Sequence, residues 1–147
     1  MSLTNIGTVV SVSAALPATE TDTDYAGLTW SEVTGVSSLG EIGASFEILN
    51  HVDLKDGVTR KAKGAKNNGD PALQYRIVEG DAGQGILITA LDSPDPISMK
   101  VVRPSGRIQY CQAIVASAPD SEATSGAVNM RSTNLGVTSD LIEVAAP

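Results

Sequence analysis

The residues that could carry out chemistry in this chain are few, and they stand apart from one another. Cys111 is the single cysteine and His51 the single histidine, so the sequence offers no disulfide pair and no His or Cys set for a metal. The segment Asp22-Thr23-Asp24 has the alternating acids of a calcium loop, but it lacks the glycine and the closing glutamate of such a loop. We expect a buried structural thiol at Cys111, a surface imidazole at His51, and no metal or cofactor.

A glycine-rich segment, residues 80–85, precedes an apolar run in the manner of a phosphate-binding loop. It lacks the Lys-Ser/Thr pair that grips phosphates, and Asp81 would repel them. Asp81 followed three residues later by Gln84 has the spacing of a helix-capping pair. We therefore expect Asp81 and Gln84 to cap a helix. Because no Ser/His/Asp set stands in a recognisable catalytic motif, we expect no enzymatic activity.

Charge is distributed unevenly along a chain whose net charge is −7. Residues 1–53 contain seven acids and no base, residues 54–66 contain five bases and one acid, and residues 67–147 contain nine acids and five bases. The bases of the middle segment, which we call the basic strip, are Lys55, Arg60, Lys61, Lys63 and Lys66. The strip is either a solvated loop without a partner or a surface that docks on an acidic face of another molecule. It has no interleaved aromatic residue, which argues against a dedicated nucleic-acid binder.

Most of the chain has the composition and alternation of β-strands. Strands are predicted over residues 6–14, 30–36, 44–52, 72–78, 97–103 and 107–116, with one or two closing strands over 127–133 and 141–144. Residues 18–27 and 53–71 have the composition of loops, and the second ends in the turn sequence Asn67-Asn68-Gly69-Asp70-Pro71. Loops longer than about 12–15 residues are usually functional or disordered.

One helix is predicted after Asp81, with Ile86, Leu87, Ala90 and Leu91 on one face. Two glycines weaken this prediction by about 1 kcal/mol each, so residues 86–91 could instead form a buried strand. The length of 147 residues fits one domain over residues 1–147. The elements predict a mainly β fold, a β-sandwich or partial barrel with one flanking α-helix. No run of about 18 apolar residues is present, so we expect no membrane partner.

The order of these segments resembles the lambda-like tail tube family, the major tail proteins of long-tailed bacteriophages. The resemblance spans roughly residues 27–115. It rests on the succession Trp30-Ser31-Glu32-Val33-Thr34-Gly35-Val36, Leu39-Gly40-Glu41-Ile42-Gly43, Phe46-Glu47-Ile48-Leu49-Asn50, Lys63-Gly64, Asn68-Gly69 and Asp81-Ala82-Gly83-Gln84. Membership would imply a structural virion protein of which six copies form a ring, with rings stacked into the tube through which DNA passes.

The resemblance also implies where this protein works and what it contacts. It would lie in the phage tail, assembled in the host bacterial cytoplasm, and its partners would be further copies of itself, tape measure and tail terminator proteins, and DNA as transient cargo. The loop at about 50–72 would reach a neighbouring ring, with the basic strip making the contacts. A pI of about 4.5 suits a tube wall that does not grip phosphates.

Two other classes of protein remain open. One is a different phage structural module, such as a head decoration protein or an immunoglobulin-like surface domain, which would share the strands but need not form rings. The other is an enzyme or lectin-like binder on a small β-barrel, which would require a pocket with convergent polar groups.

Overall fold

The computed structural model describes residues 6–40, 42–120 and 129–145, and this part of the chain is mainly β. Its elements are β1 (Val9–Ser13), α1 (Asp22–Ala26), β2 (Ser31–Glu32), β3 (Val36–Leu39), β4 (Ser45–Val52), β5 (Thr59–Asn67), β6 (Ala72–Arg76), α2 (Ala82–Leu91), β7 (Ile97–Val102), β8 (Ile108–Ser117), β9 (Met130–Val137) and β10 (Ile142–Val144). The prediction of a mainly β fold with a flanking helix is confirmed.

Eight strands form one antiparallel sheet that is not closed into a barrel: seven follow the order β2-β1-β7-β8-β9-β6-β3, and β10 pairs with β8 beside this path. The long strand β8 lies at its centre. One edge of β8 pairs with β7, and the other edge is shared, because β10 pairs with Ile108–Tyr110 and β9 with Ala113–Ser117. The remaining strands, β4 and β5, form a separate two-stranded sheet that we call the hairpin.

The core lies between one face of the large sheet and α2. It is built mainly from aliphatic residues of β1, β6, β7 and β8, to which α2 contributes Leu87, 0% exposed, and Ala90. Cross-strand neighbours such as Val12 and Met99, or Met99 and Cys111, lie on this face and pack together. Burying each such large side chain contributes about 1.5–3 kcal/mol, so this layer carries most of the stability.

A glycine in α2 explains how closely the helix approaches the sheet. A Cβ atom at Gly83 would lie 2.4 Å from the carbonyl oxygen of Glu32 and 2.8 Å from the backbone nitrogen of Val33. Only a residue without a side chain fits there. Gly83, one of the two glycines that weaken the helix prediction, therefore allows α2 to pack closely against β2.

Two predicted loops contain regular structure. Residues 18–27 include the short helix α1, capped by the Thr21 hydroxyl, which accepts a hydrogen bond from the Asp24 backbone at 3.3 Å. The prediction of a loop over 53–71 is wrong for Thr59–Asn67, which form β5. This strand pairs with β4, yet almost all of its residues are exposed, so it carries no alternation of apolar and polar residues. Of the predicted strand over 127–133, residues 127 and 128 lie outside the described part.

Candidate functional site

The residues singled out for chemistry do not come together. Cys111 is buried, and this burial raises the pKa of its thiol to about 12, which suppresses the reactive thiolate. His51 is exposed, with its Nε2 3.1 Å from Asp53 Oδ1. Asp24, in α1, accepts a hydrogen bond from the backbone nitrogen of Thr19, which precedes the helix, at 3.0 Å. Among the described residues, no three His, Cys, Asp or Glu side chains are grouped closely enough to hold a metal ion.

Asp81 lies at the start of α2, where its spacing predicted a cap. Its Oδ2 accepts a hydrogen bond from the Gln84 backbone nitrogen at 3.0 Å, and its Oδ1 accepts one from the Thr34 hydroxyl at 2.6 Å. Partial burial raises the pKa of Asp81, but the hydrogen bonds from Thr34 and from the Gln84 backbone outweigh it, so the net pKa is lowered. The carboxylate itself accepts a hydrogen bond at the helix N-terminus, so this glycine-rich segment ends in a helix cap.

Gln84 differs from a simple capping partner, since its side chain reaches beyond Asp81. It is 3% exposed, its Oε1 accepts from the Val78 backbone nitrogen at 3.0 Å, and its Nε2 donates to the carbonyl oxygens of Thr34 at 2.8 Å and Arg76 at 2.9 Å. Gln84 thus connects α2 to the end of β6 and to the segment after β2.

In the part of the chain that the structure describes, neither helix has the length and apolar character needed to span a bilayer.

The hairpin is the most exposed regular element of the described chain. Every residue of β4 is exposed, and so are all but one of the residues of β5. It carries a concentration of exposed large apolar side chains, namely Phe46, Ile48, Leu49, Val52, Leu54 and Val58. A two-stranded hairpin is marginally stable in water on its own, and contiguous exposed apolar surface usually marks an interaction site. The hairpin is therefore the strongest candidate for a functional surface.

The strand register sorts the hairpin residues onto two faces. Ile48 pairs with Lys63 and Asn50 with Lys61, while Phe46 pairs with Lys66 beyond a bulge. Since directly opposed residues point to the same side, apolar and cationic side chains share one face. We call this the basic-apolar face, and its members are Phe46, Ile48, Val52, Lys61, Lys63 and Lys66. Lys63 Nζ lies 4.7 Å from the centre of the Phe46 ring, in cation-π contact.

Ion pairs divide the basic strip into two groups. Arg60 lies on the opposite face and forms two ion pairs. Its Nε is 3.1 Å from Asp53 Oδ2, and its Nη2 is 2.9 Å from Asp56 Oδ2. Lys66 Nζ lies 2.7 Å from Asp140 Oδ1. Lys55, Lys61 and Lys63 make no ion pair with any residue that the structure describes. The five bases that the sequence grouped together are therefore not equivalent.

The acids of residues 1–53 also lie in different parts of the structure. Glu20, Asp22 and Asp24 lie at α1, and Glu32 lies in the edge strand β2. Glu47 and Asp53 belong to the hairpin itself, and Glu41 lies outside the described residues. Of these seven acids, four therefore lie outside the hairpin, near α1 and on β2.

Comparison by sequence gives no family: no family model matches the chain, and no curated protein matches it. Comparison of structures shows likeness in fold at low sequence identity. A chain in the cryo-EM structure of the sheath/tube terminator of PVC, an extracellular contractile injection system, superimposes with a TM-score of 0.66 at 12% identity, covering 99% of this chain and 98% of that chain.

Two further structures give the same result. A chain in the tail of the empty GTA particle, refined with C6 symmetry, has a TM-score of 0.67 at 10% identity, covering 93% of this chain and 95% of that one. The SPP1 tail tube has a TM-score of 0.65 at 17% identity, covering 92% of this chain and 75% of that chain. At these identities the likeness establishes the fold: this chain shares the fold found in these tail and tube assemblies.

Proposed function

We propose that this protein is a structural subunit of a phage or phage-like tail tube, one domain over residues 1–147 that forms rings which stack into a hollow tube, and not an enzyme. The observation that carries the proposal is the structural likeness to chains of three separate tail and tube assemblies over more than nine-tenths of this chain. The C6 symmetry of the GTA tail supports six copies per ring. The exposed hairpin supports assembly, because its apolar side chains lack cover in a single copy.

The hairpin contacts a copy in the next ring through its basic-apolar face. Stacked rings are joined head to tail, so each copy needs two different complementary surfaces. Lys61 and Lys63 supply positive charge on one, and the acids at α1 and β2 supply negative charge on the other. Opposite charges steer the approach and fix the register, while burial of Phe46, Ile48 and Val52 supplies the main gain in free energy. Lys55 lies in the turn at the tip and would meet the partner first.

The other partners follow from the same role. In a tail, the tube would enclose a tape measure protein and end at a tail terminator, and DNA would pass through the lumen as transient cargo. The assembly would be part of a virion, built in the cytoplasm of the bacterial host. The acidic composition, with a pI of about 4.5, suits a wall that duplex DNA does not bind, since phosphate binding depends on Lys and Arg contacts.

The proposal is tested by reversing charge on the basic-apolar face with Lys61→Glu and Lys63→Glu together. Wild type should be largely monomeric when dilute and should form rings or tubes when concentrated, as followed by sedimentation and negative-stain microscopy. The double variant should keep its fold, because exposed substitutions usually change stability by within about ±0.5 kcal/mol, but it should not form tubes. The matched control is Arg76→Glu with Arg107→Glu, which changes the net charge equally at two exposed side chains outside the hairpin.

Two outcomes would count against the proposal at different levels. A wild-type protein that stays a compact monomer at every concentration, even with other tail components present, would rule out the tube function. A double variant that assembles at the wild-type rate would leave the tube function standing but remove the hairpin face from the inter-ring contact.

A further inference from the structure

The angle of the hairpin relative to the large sheet is held by few contacts. Its strands pair with each other, and their side chains are exposed, so packing against the sheet contributes little. At its base the Gly43 backbone nitrogen donates to the Asn68 carbonyl oxygen at 3.1 Å. The only ion pair there, among the described residues, joins Lys66 Nζ to Asp140 Oδ1 at 2.7 Å, and Asn68 Nδ2 donates to the same oxygen at 3.4 Å.

Asp140 belongs to a segment that is itself fixed to the centre of the sheet. The neighbouring Ser139 is 7% exposed, and its hydroxyl accepts a hydrogen bond from the Gln112 backbone nitrogen at 2.8 Å. The Thr138 backbone nitrogen donates to the Gln112 carbonyl oxygen at 2.9 Å. Gln112 lies in β8, the central strand. The chain next to Asp140 is therefore fixed to the sheet, and Lys66 connects the hairpin to its carboxylate, although the Asp140 side chain is 65% exposed.

A small change of angle at the base has a large effect at the tip. At roughly 3.3 Å per residue the eight residues of β4 span about 26 Å, so a rotation of about 10° would move the tip by about 4–5 Å. This is close to the ~4.8 Å spacing between paired strands, so the tip of the hairpin would shift by about one strand spacing relative to its partner. Docking with a defined register therefore requires a defined hairpin angle.

We propose that the ion pair between Lys66 and Asp140 sets the angle of the hairpin for assembly, so that Asp140 is a positioning residue and Lys66 acts within its own copy rather than on the neighbouring one. This inference rests on the proposed function. The hydrogen bond from Lys66 lowers the pKa of Asp140, so the carboxylate is ionised at neutral pH, as the contact requires.

The substitution Asp140→Lys separates the two roles that Lys66 could have. It breaks the ion pair by repulsion but leaves every base of the basic strip in place. If Lys66 contacted the neighbouring copy directly, assembly would be unchanged or faster. If the ion pair sets the angle, the protein concentration needed for tube formation rises several-fold, and Lys66→Asp combined with Asp140→Lys restores it by reforming the pair in the opposite sense. The matched control is Asp95→Lys, an exposed acid outside the hairpin base.

The angle is measured directly in the dilute monomer by pulsed electron paramagnetic resonance. Spin labels at Leu54→Cys, in the exposed tip, and at Ser105→Cys, in the exposed turn between β7 and β8, report the distance from hairpin to sheet, while the buried thiol of Cys111 stays unlabelled. The distance distribution should broaden in Asp140→Lys and narrow again in the swapped pair. Unlabelled Asp140→Asn, which removes the charge without repulsion, should show an intermediate loss of assembly.

The outcomes distinguish this inference from the function on which it rests. Unchanged distances and unchanged assembly in Asp140→Lys, with assembly lost in Lys61→Glu/Lys63→Glu, would overturn the positioning role and leave the docking face intact. Loss of assembly that the swapped pair fails to restore would also overturn it, since Lys66 would then be needed as a lysine. Normal assembly of every variant would overturn the hairpin contact and the positioning role together.

Discussion

The strands β6, in the large sheet, and β4, in the hairpin, differ in what stabilises them. In β6, buried Leu73 and Tyr75 alternate with exposed Gln74 and Arg76, so one face of the strand is covered within the chain. In β4, all eight residues are exposed, including Phe46 and Ile48. Strands of the large sheet are specified by burial inside one copy, whereas the hairpin presents apolar side chains that a single copy leaves in water. The same secondary structure thus serves stability in one region and, in the tube we propose, assembly in the other.

The largest expected contrast comes from the same substitution made in both regions. Leu87→Ala removes a side chain that is 0% exposed and should lower the free energy of unfolding by about 2–5 kcal/mol, through lost burial and the cavity it leaves. Leu49→Ala, at a position 49% exposed in the hairpin, should change it by within about ±0.5 kcal/mol. Urea titration of the two variants measures both values. Comparable losses would mean that the hairpin is part of the cooperative core.

A second contrast lies within α2, where the same substitution at two glycines two residues apart should change stability in opposite directions. Gly83→Ala should destabilise the protein by about 1–3 kcal/mol, because the new methyl group would overlap the backbone of Glu32 and Val33. Gly85→Ala places its methyl group in open space and should stabilise the helix by about 0.4–1 kcal/mol. Thermal melting of both variants tests this. A gain in stability from Gly83→Ala would show that α2 can move away from β2 without cost.

A smaller effect is expected at the helix cap, and it depends on pH. Asp81→Ala should cost about 0.5–2 kcal/mol near neutral pH, where the carboxylate is ionised and accepts its hydrogen bonds. Because the pKa of Asp81 is lowered from 3.8, this stabilisation is present above that value and is lost as the pH falls through the lower folded-state pKa. Unfolding measured from pH 6 to pH 2 should show the two proteins converge at the acid end. A difference that stays constant with pH would assign the effect to shape rather than charge.

The weakest perturbation is limited trypsin cleavage, which should leave the large sheet unaffected. Trypsin cleaves after Lys and Arg, but Arg60, Lys61, Lys63 and Lys66 all lie in β5 and are paired with β4. Lys55 lies in the turn between the strands, so we expect the first cut there in the monomer and protection of that site in tubes. Mass spectrometry of the first fragments identifies the site. A first cut within β5 would indicate that the hairpin opens readily before assembly.

The sequence predicted β4, although it is fully exposed, and the main elements that bury one face, but it missed the strand β5 and the short helix α1. The alternation around Leu73 and Tyr75 predicted β6, and the spacing of Asp81 and Gln84 predicted the start of α2. The strand β5 was missed because its charged, exposed residues leave no periodic signal.

The candidate site could be predicted only in part, for the same reason. Sequence located the basic strip, but it could not divide the strip into Lys66 and Arg60, which bind acids of their own chain, and Lys61 and Lys63, which do not bind any described acid. That division depends on the register of β4 and β5 and on Asp140, which is distant in sequence. Nor could a pattern show that Gly83 permits a close contact between helix and strand.

The pairing of β1 with β7 also determines the order in which parts of the chain can fold during synthesis. Val10 pairs with Val101, so β1 must wait for about 90 further residues, or roughly 5–20 s of synthesis, before its main partner exists. The hairpin needs no such delay, because β4 and β5 are adjacent in sequence and a hairpin of this kind closes in about 1–10 μs. Such a high contact order predicts slow completion of the large sheet. On the ribosome, the hairpin is therefore available to form well before the large sheet that makes each copy stable.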